Sequence, residues 1–313
     1  MHHCRPGKVL SSQTGEPVRK AQITLQRMSA ENRSGYSAVA DASGHYALQD
    51  IDPGQYRLSA TRNGFVPLQY GARGPSQGGA PLTLNPGQHM SDTSFRLVPH
   101  GVITGRVLDE DGEPVQYLQV STMRYRFVNG KRQLAPAGGG TGTNDLGEYR
   151  IFGLAPGKYY LTVTYRRQNM MAQERKSGDT PDEGYVPTYY PGTNDPTGAV
   201  AIELGPGAVL NVADLTLRKT RTVRIRGHVV NTMAEGLPQR IMLRLMPRNT
   251  AFMGFFSMLT SQVTRNQGGT FELRGVAPGT YTLMAQWSDN EKSYSVRQPV
   301  DVAAVTSTTL TWC

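Results

Sequence analysis

The sequence predicts an all-β protein: three tandem antiparallel β-sandwich modules. Three observations carry that prediction. A hairpin pattern recurs three times without insertion, glycine and proline fall at fixed offsets inside it, and short runs of alternating polarity flank every copy. Among 313 residues there are 35 glycines and 20 prolines, punctuating the apolar runs as turn residues do.

The pattern reads [DN]-x-x-G-x-[YF]-x-[LI]-x-x-[ILV]-x-P-G-x-Y-x-L. The first copy has Asp41, Gly44, Tyr46, Leu48, Ile51, Pro53, Gly54, Tyr56 and Leu58. The second has Asn144, Gly147, Tyr149, Ile151, Leu154, Pro156, Gly157, Tyr159 and Leu161. The third has Asn266, Gly269, Phe271, Leu273, Val276, Pro278, Gly279, Tyr281 and Leu283. Asp or Asn at the first position of a turn and Gly at the fourth suit a type I turn closing a hairpin, with Gly in the left-handed conformation. Pro-Gly suits the centre of a type II turn. A period-2 strand follows, carrying Tyr56, Leu58 and Ala60, or Tyr159, Leu161 and Val163, or Tyr281, Leu283, Ala285 and Trp287 on one face.

Upstream of each hairpin stands a G-x-V strand with a polar turn: Gly7, Val9, Gly15 and Pro17; Gly105, Val107, Gly112 and Pro114; Gly227, Val229, Gly236 and Pro238. Further strands are expected at Leu82–Leu84, Phe95–Leu97, Ile202–Leu204 and Leu215–Leu217. Each copy then has about six or seven short strands, enough for one sandwich. The expected modules are residues 1–98, 99–221 and 222–313, the last one possibly truncated.

The signature G-x-V…G-x-P-V…D-x-x-G-x-Y…P-G-x-Y-x-L resembles carboxypeptidase regulatory-like domains. The resemblance implies a prealbumin-like (Ig-like) sandwich, shared with transthyretin-like and Cna-B-type modules. FVPLQYGARG and YVPTYYPGTNDP, followed by LTLNPG and IELGPG, look like loops of multi-copy secreted or envelope proteins of soil bacteria. In that family the module accompanies metallocarboxypeptidases, outer-membrane receptors and surface proteins, and carries no catalytic residues. The resemblance therefore implies an architecture and an extracellular or envelope address, not a peptidase.

Chemistry is sparse. A zinc carboxypeptidase needs His and Glu three residues apart, and His45, His89, His100 and His228 have none there; H-E-x-x-H and a Walker loop are missing too. His2, His3 and Cys4 could hold a metal, but a frayed terminus is preferred. Cys4 and Cys313 allow no disulfide framework. Gly138–Gly142 precedes a hairpin turn rather than a helix, and is read as a flexible loop, not a phosphate cradle. Asp109, Glu110, Asp111 and Glu113 form an acidic turn, read as solvated rather than as a calcium site. Lys8 is matched by Arg106 and His228 in the other copies, which argues against a conserved isopeptide lysine. No catalytic residue, cofactor or metal ligand is assigned.

The net charge is +9. The basic groups Arg218, Lys219, Arg221, Arg224 and Arg226, and Arg124, Arg126, Lys131 and Arg132, come without a recognition helix or an RNA-binding aromatic signature, so no nucleic acid is expected. Tyr185, Tyr189 and Tyr190 sit in one Pro-Gly loop, with Tyr70 and Phe65 matching in the first copy. Tyr70, Tyr185, Tyr189 and Tyr190 are the candidate ligand contacts, for a polysaccharide or other cell-surface component; the alternative is that they cap the sandwich. Residues 251–259 hold an aromatic and methionine insertion, and 166–184 a polar one. No apolar stretch is long enough for a spanning helix. The N-terminus has no signal-peptide apolar core, and a missing segment is expected. The leading function is a non-catalytic secreted or envelope scaffold. The alternatives are a carbohydrate-binding array, or an accessory part of a peptidase or receptor.

Overall fold

The computed structural model describes residues 7–28, 35–75, 77–88, 93–128, 130–165, 183–212, 214–229, 240–248, 259–264, 269–289, 292–303 and 308–312. The first copy contains β1 (Gly7–Ser11), β2 (Gln22–Arg27), β3 (Gly35–Val39), β4 (His45–Tyr46), β5 (Gly54–Thr61), β6 (Phe65–Val66), β7 (Leu68–Gln69), β8 (Leu82–Leu84) and β9 (Phe95–Pro99). The second contains β10 (Gly101–Leu108), β11 (Leu118–Val128), β12 (Lys131–Gly142), β13 (Glu148–Leu154), β14 (Gly157–Tyr165), β15 (Glu183–Tyr185), β16 (Thr188–Tyr189), β17 (Ile202–Leu204), β18 (Val209–Asn211), β19 (Leu215–Thr216) and β20 (Lys219–Arg221). The third contains β21 (Val223–Val229), β22 (Arg240–Pro247), β23 (Leu259–Thr264), β24 (Thr270–Val276), β25 (Gly279–Asp289), β26 (Lys292–Val302) and β27 (Thr308–Trp312). The fold is all-β; among the described residues the one helical element is the short 3₁₀ turn Pro196–Gly198.

The chain separates into two compact units. One is residues 1–104, 150–158 and 203–212; the other is 105–149, 159–202 and 213–313. In the first unit, β4-β1-β9-β6 form one sheet and β3-β2-β5-β7 another, with β8 also on β5. Their alternating inner residues build one core: Val9, Ile23, Leu25, Tyr46, Tyr56, Leu58, Ala60, Phe95 and Leu97 are all buried. In the second unit the third copy repeats the plan, with sheets β24-β21-β27 and β23-β22-β25-β26. Ile225, Ile241, Leu243, Leu245, Phe271, Leu273, Val276 and Leu283 fill that core.

Among the described residues, pairing is antiparallel except beside the first strand of each copy, where β1 pairs with β9, β10 with both β18 and β19, and β21 with β27 in parallel. The first strand runs parallel to a late one: Val9 beside Phe95, Val107 beside Leu215, Ile225 beside Thr308. The chain crosses between the sheets before it returns, so the late strand re-enters beside the first in the same direction.

The hairpin turn forms as its residues dictate. Asp41 Oδ1 accepts from the amides of Ser43 and His45, and Asn144 Oδ1 from those of Leu146 and Glu148. Asp109 makes the same pair of bonds to Asp111 and Glu113. Gly44 and Gly147 have φ of 77° and 68°, and a Cβ on either would stand 2.6 or 2.5 Å from the carbonyl of Val9 or Val107. Asn266 lies outside the described residues.

Two expectations are corrected. Gly54, Gly157 and Gly279 are the first residues of β5, β14 and β25, with φ of 158°, 140° and 157°. A type II turn needs about +80° there, so Pro-Gly launches the strand instead of forming that turn. Gly138–Gly142 is not a loop but the end of β12, with Gly140–Gly142 paired to Gln119–Ser121 beside a bulge between Ser121 and Met123. Those ladder pairs and the bond from Thr122 Oγ1 to the Gly139 carbonyl hold it in the sheet, with Gly138 at φ 84°. His2, His3, Cys4, His89, Gly236, Pro238, Cys313, residues 166–182 and residues 251–258 lie outside the described residues.

The G-x-V glycine and the hairpin aromatic are cross-strand partners. Gly7 faces Tyr46, and Gly227 faces Phe271. A Cβ on Gly7 would lie 2.5 Å from Tyr46 Cζ, and one on Gly105 would lie 2.5 Å from the Tyr149 hydroxyl. The aromatic ring lies across a backbone stripped of its side chain. The later tyrosine closes a corner: Tyr56 donates to the Asp52 carbonyl at 2.7 Å and Tyr281 to the Ala277 carbonyl at 2.8 Å, each four residues upstream. Gly105→Ala is expected to lower unfolding free energy by about 1–3 kcal/mol through the ring clash, and Tyr56→Phe by about 1 kcal/mol through the lost bond. Urea unfolding monitored by circular dichroism measures both.

Candidate functional site

Within the second unit, β15 pairs with β20 so that Tyr185 stands opposite Lys219. The acidic turn after β10 brings Glu110 to the same place. Tyr185 donates its hydroxyl to Glu110 Oε2 at 2.7 Å, and the Lys219 ammonium pairs with Glu110 Oε1. That ammonium also sits 5.5 Å from the centre of the Tyr185 ring. Glu110, Thr216, Arg218 and Lys219 line an open depression of about 400 Å³ beside the cluster.

The electrostatics follow from the contacts. Lys219, then the Tyr185 hydroxyl, hold the Glu110 carboxyl down at about 2, from an ordinary 4.5. Glu110 raises the Lys219 ammonium in return. Burial, then the neighbouring carboxylate, raise the Tyr185 phenol. Glu110 is therefore an ionised acceptor at neutral pH, and offers no proton to a substrate. Asp109 is spent on its own turn. Among the described residues no group of three His, Cys, Asp or Glu side chains is placed to hold a metal ion.

The four candidate tyrosines have different surroundings. Tyr189 is only 6% exposed, and its strand pairs with β14 opposite Thr162. Its ring therefore has no face to offer a ligand. Tyr185 is half-buried and engaged as above. Tyr190 is half-buried, and its amide donates to the Leu161 carbonyl. Tyr70, in the first unit, is half-buried and packs against the core there. Tyr185, Tyr189 and Tyr190 are thus brought into one short segment that is sewn to β20 at one end and β14 at the other.

A residue the sequence did not single out for this is Tyr149. Among the described residues its buried hydroxyl has no hydrogen-bond partner, whereas the matching Tyr46 donates to the Thr93 carbonyl. Burial, with Tyr190 and Asp214 nearby, raises the Tyr149 phenol. Several basic residues are neutralised in place: Arg226 and Arg274 both hold Glu272, and Arg106 holds Asp214.

The Glu110–Lys219 contact sets a pH dependence. The folded carboxyl titrates below its unfolded value, so the pair contributes fully above pH 4.5 and is lost as pH falls toward about 2. Carbon NMR of the Glu110 carboxyl is expected to show its midpoint near 2. A midpoint at the ordinary value would mean that the pair does not form. Because the pair faces solvent, Glu110→Gln is expected to change stability little.

The model of the carboxypeptidase regulatory-like domain matches residues 6–98 and 102–177. No curated protein matches the chain significantly. Among solved structures, the Bacillus anthracis TIE protein aligns at 12% identity and TM-score 0.26, covering 98% of this chain and 50% of its own. The chain thus spans half the length of that protein. A streptococcal ancillary pilin aligns at 11% identity and TM-score 0.30, covering 98% of each chain. BcpA, the major pilin subunit of Bacillus cereus, aligns at 10% identity and TM-score 0.23, covering 98% of each. The family model, unlike these distant likenesses, accounts for more than half of the residues, and it falls on the copies where glycine lies under tyrosine: the chain belongs to the carboxypeptidase regulatory-like domain family.

Proposed function

We propose that this protein is a non-catalytic extracellular or cell-envelope scaffold. Its three modules, residues 1–98, 99–221 and 222–313, space or attach other components. The observation that carries this reading is where the repeated polar groups are spent. Asp41, Asn144 and Asp109 cap turns, while Tyr56 and Tyr281 close corners onto their own backbone. A repeat selected for catalysis would aim polar groups at a common external point; this one aims them inward at the chain. The family membership supports the same reading, since the resemblance implies a module without catalytic residues.

A second reading is carbohydrate binding. Tyr70 and Tyr190 are its best contacts, because both keep part of the ring in solvent while Tyr189 is buried. Tyr185 would contribute through its edge only, its hydroxyl being held by Glu110.

The scaffold reading expects fragment 1–98 to unfold cooperatively by itself in urea. It also expects no release of C-terminal residues from a peptide panel, with or without added zinc; turnover that needs zinc would refute it. A glycan array decides the second reading. Binding that Tyr190→Ala reduces tenfold or more would favour it, and silence across the array would remove it.

A further inference from the structure

The second copy carries a projecting arm that the fold does not need. β11 pairs with β14 only from Leu118 to Met123, yet it continues with β12 to the register pair Val128 and Lys131. Residues Arg124–Val128 thus have a ladder partner on one side alone, over roughly 16 Å. In the first copy, β2 is paired with β5 along its whole length. Two residues separate that register pair, and Gly130, the second of them, has φ 74°, as a tight hairpin end requires.

Its composition is one-sided. Residues 118–142 contain Arg124, Arg126, Lys131 and Arg132 and no Asp or Glu. Phe127, one residue short of the last register pair, is 77% exposed. Tyr125 and Phe127 share a face with their cross-strand partners Leu134 and Arg132. The Arg132 guanidinium lies 4.2 Å from the Tyr125 ring centre, and the Tyr160 ring meets Tyr125 edge-on at 5.1 Å. Beneath them Met123 and Leu134 are buried, so the base of the arm is rigid. Among the described residues neither Arg126 nor Arg132 has a carboxylate partner.

We propose that this arm docks on an anionic lipid surface. Phe127 enters the apolar boundary, while Arg126 and Arg132 take the phosphodiester groups above it. The charge is complementary, with nothing acidic on the arm to repel the surface. The shape favours a bilayer over a soluble polyanion. A glycan or single strand needs successive open stacking platforms, but the Tyr125 ring is covered by Arg132 and Tyr160, which leaves one open ring on a convex tip. A bilayer yields to a single ring. Stacked guanidiniums keep their N–H edges free for bidentate phosphate contact. Among the described residues no helix is long and apolar enough to cross a membrane. The inference does not depend on the scaffold reading.

The test is co-sedimentation of the whole chain with vesicles of phosphatidylglycerol and phosphatidylcholine, beside vesicles of phosphatidylcholine alone. Binding is expected to the anionic vesicles only, weakening as salt rises. Phe127→Ala is expected to reduce partition by about tenfold, and the pair Arg126→Ala with Arg132→Ala by roughly twentyfold. Both changes are at solvent-exposed positions, so thermal unfolding should not move. Phe127→Trp gives a readout independent of affinity: its emission is expected to shift to the blue on anionic vesicles. No vesicle binding, binding that ignores Phe127, or an unshifted tryptophan would each overturn the proposal. Binding of single-stranded DNA or a uronic-acid polysaccharide in place of vesicles would overturn it too, reassigning the arm to a soluble polyanion.

Discussion

An aromatic ring lying flat across a glycine on the neighbouring strand is the contact on which the rest of this fold depends. Tyr46 crosses Gly7, Tyr149 crosses Gly105, and Phe271 stands opposite Gly227. The glycine has no side chain to bury, and alone it would weaken its strand. The ring fills that gap and fixes register in the same step, because a slip of one residue would bring a Cβ under it. The first strand of each copy is thereby locked to the hairpin that follows it some forty residues later. The parallel late strand can then be added beside the first.

The two aromatic positions of the repeat do different work, and the difference explains their composition. The first tolerates phenylalanine because its ring is what matters; Phe271 fills it in the third copy. The second is tyrosine in all three copies, and in the first and third its hydroxyl closes the corner onto a carbonyl four residues back. Buried inside a sandwich, that hydroxyl needs a partner, and that carbonyl needs a donor. Tyr149 shows the cost side of the same rule. It keeps the ring, but among the described residues its buried hydroxyl has no bond.

Electrostatics in this chain mostly serve attachment of its own segments. Glu110 joins Tyr185 and Lys219, so a loop strand is tied to the last strand of the second copy. Glu272 gathers two arginines on neighbouring positions of β21 and β24. Arg106, Lys219, Arg226 and Arg274 are thus answered locally. On the β11–β12 arm, among the described residues, Arg126 and Arg132 have no such carboxylate, and there the Phe127 ring stands in water. Unanswered charge and exposed aromatic surface in one place are what separate a contact surface from a solvated one.

The sequence by itself determined the all-β class, the hairpin turns and the residues of the core. These follow from local rules: Asp or Asn with glycine three places on, and side chains alternating along a strand. An Asn-Gly pair at positions 129 and 130, between two strand-like runs, also favours a hairpin in the sequence. Three things were decided only in three dimensions. Pro-Gly opens a strand because its glycine is drawn into the ladder, and Gly138–Gly142 ends a strand because β11 pairs with Gly140–Gly142. Tyr189 is buried while Phe127 is exposed, although the sequence favours neither outcome. Pairing and burial depend on which strand arrives alongside, and that is a property of the whole sheet, not of any residue in it.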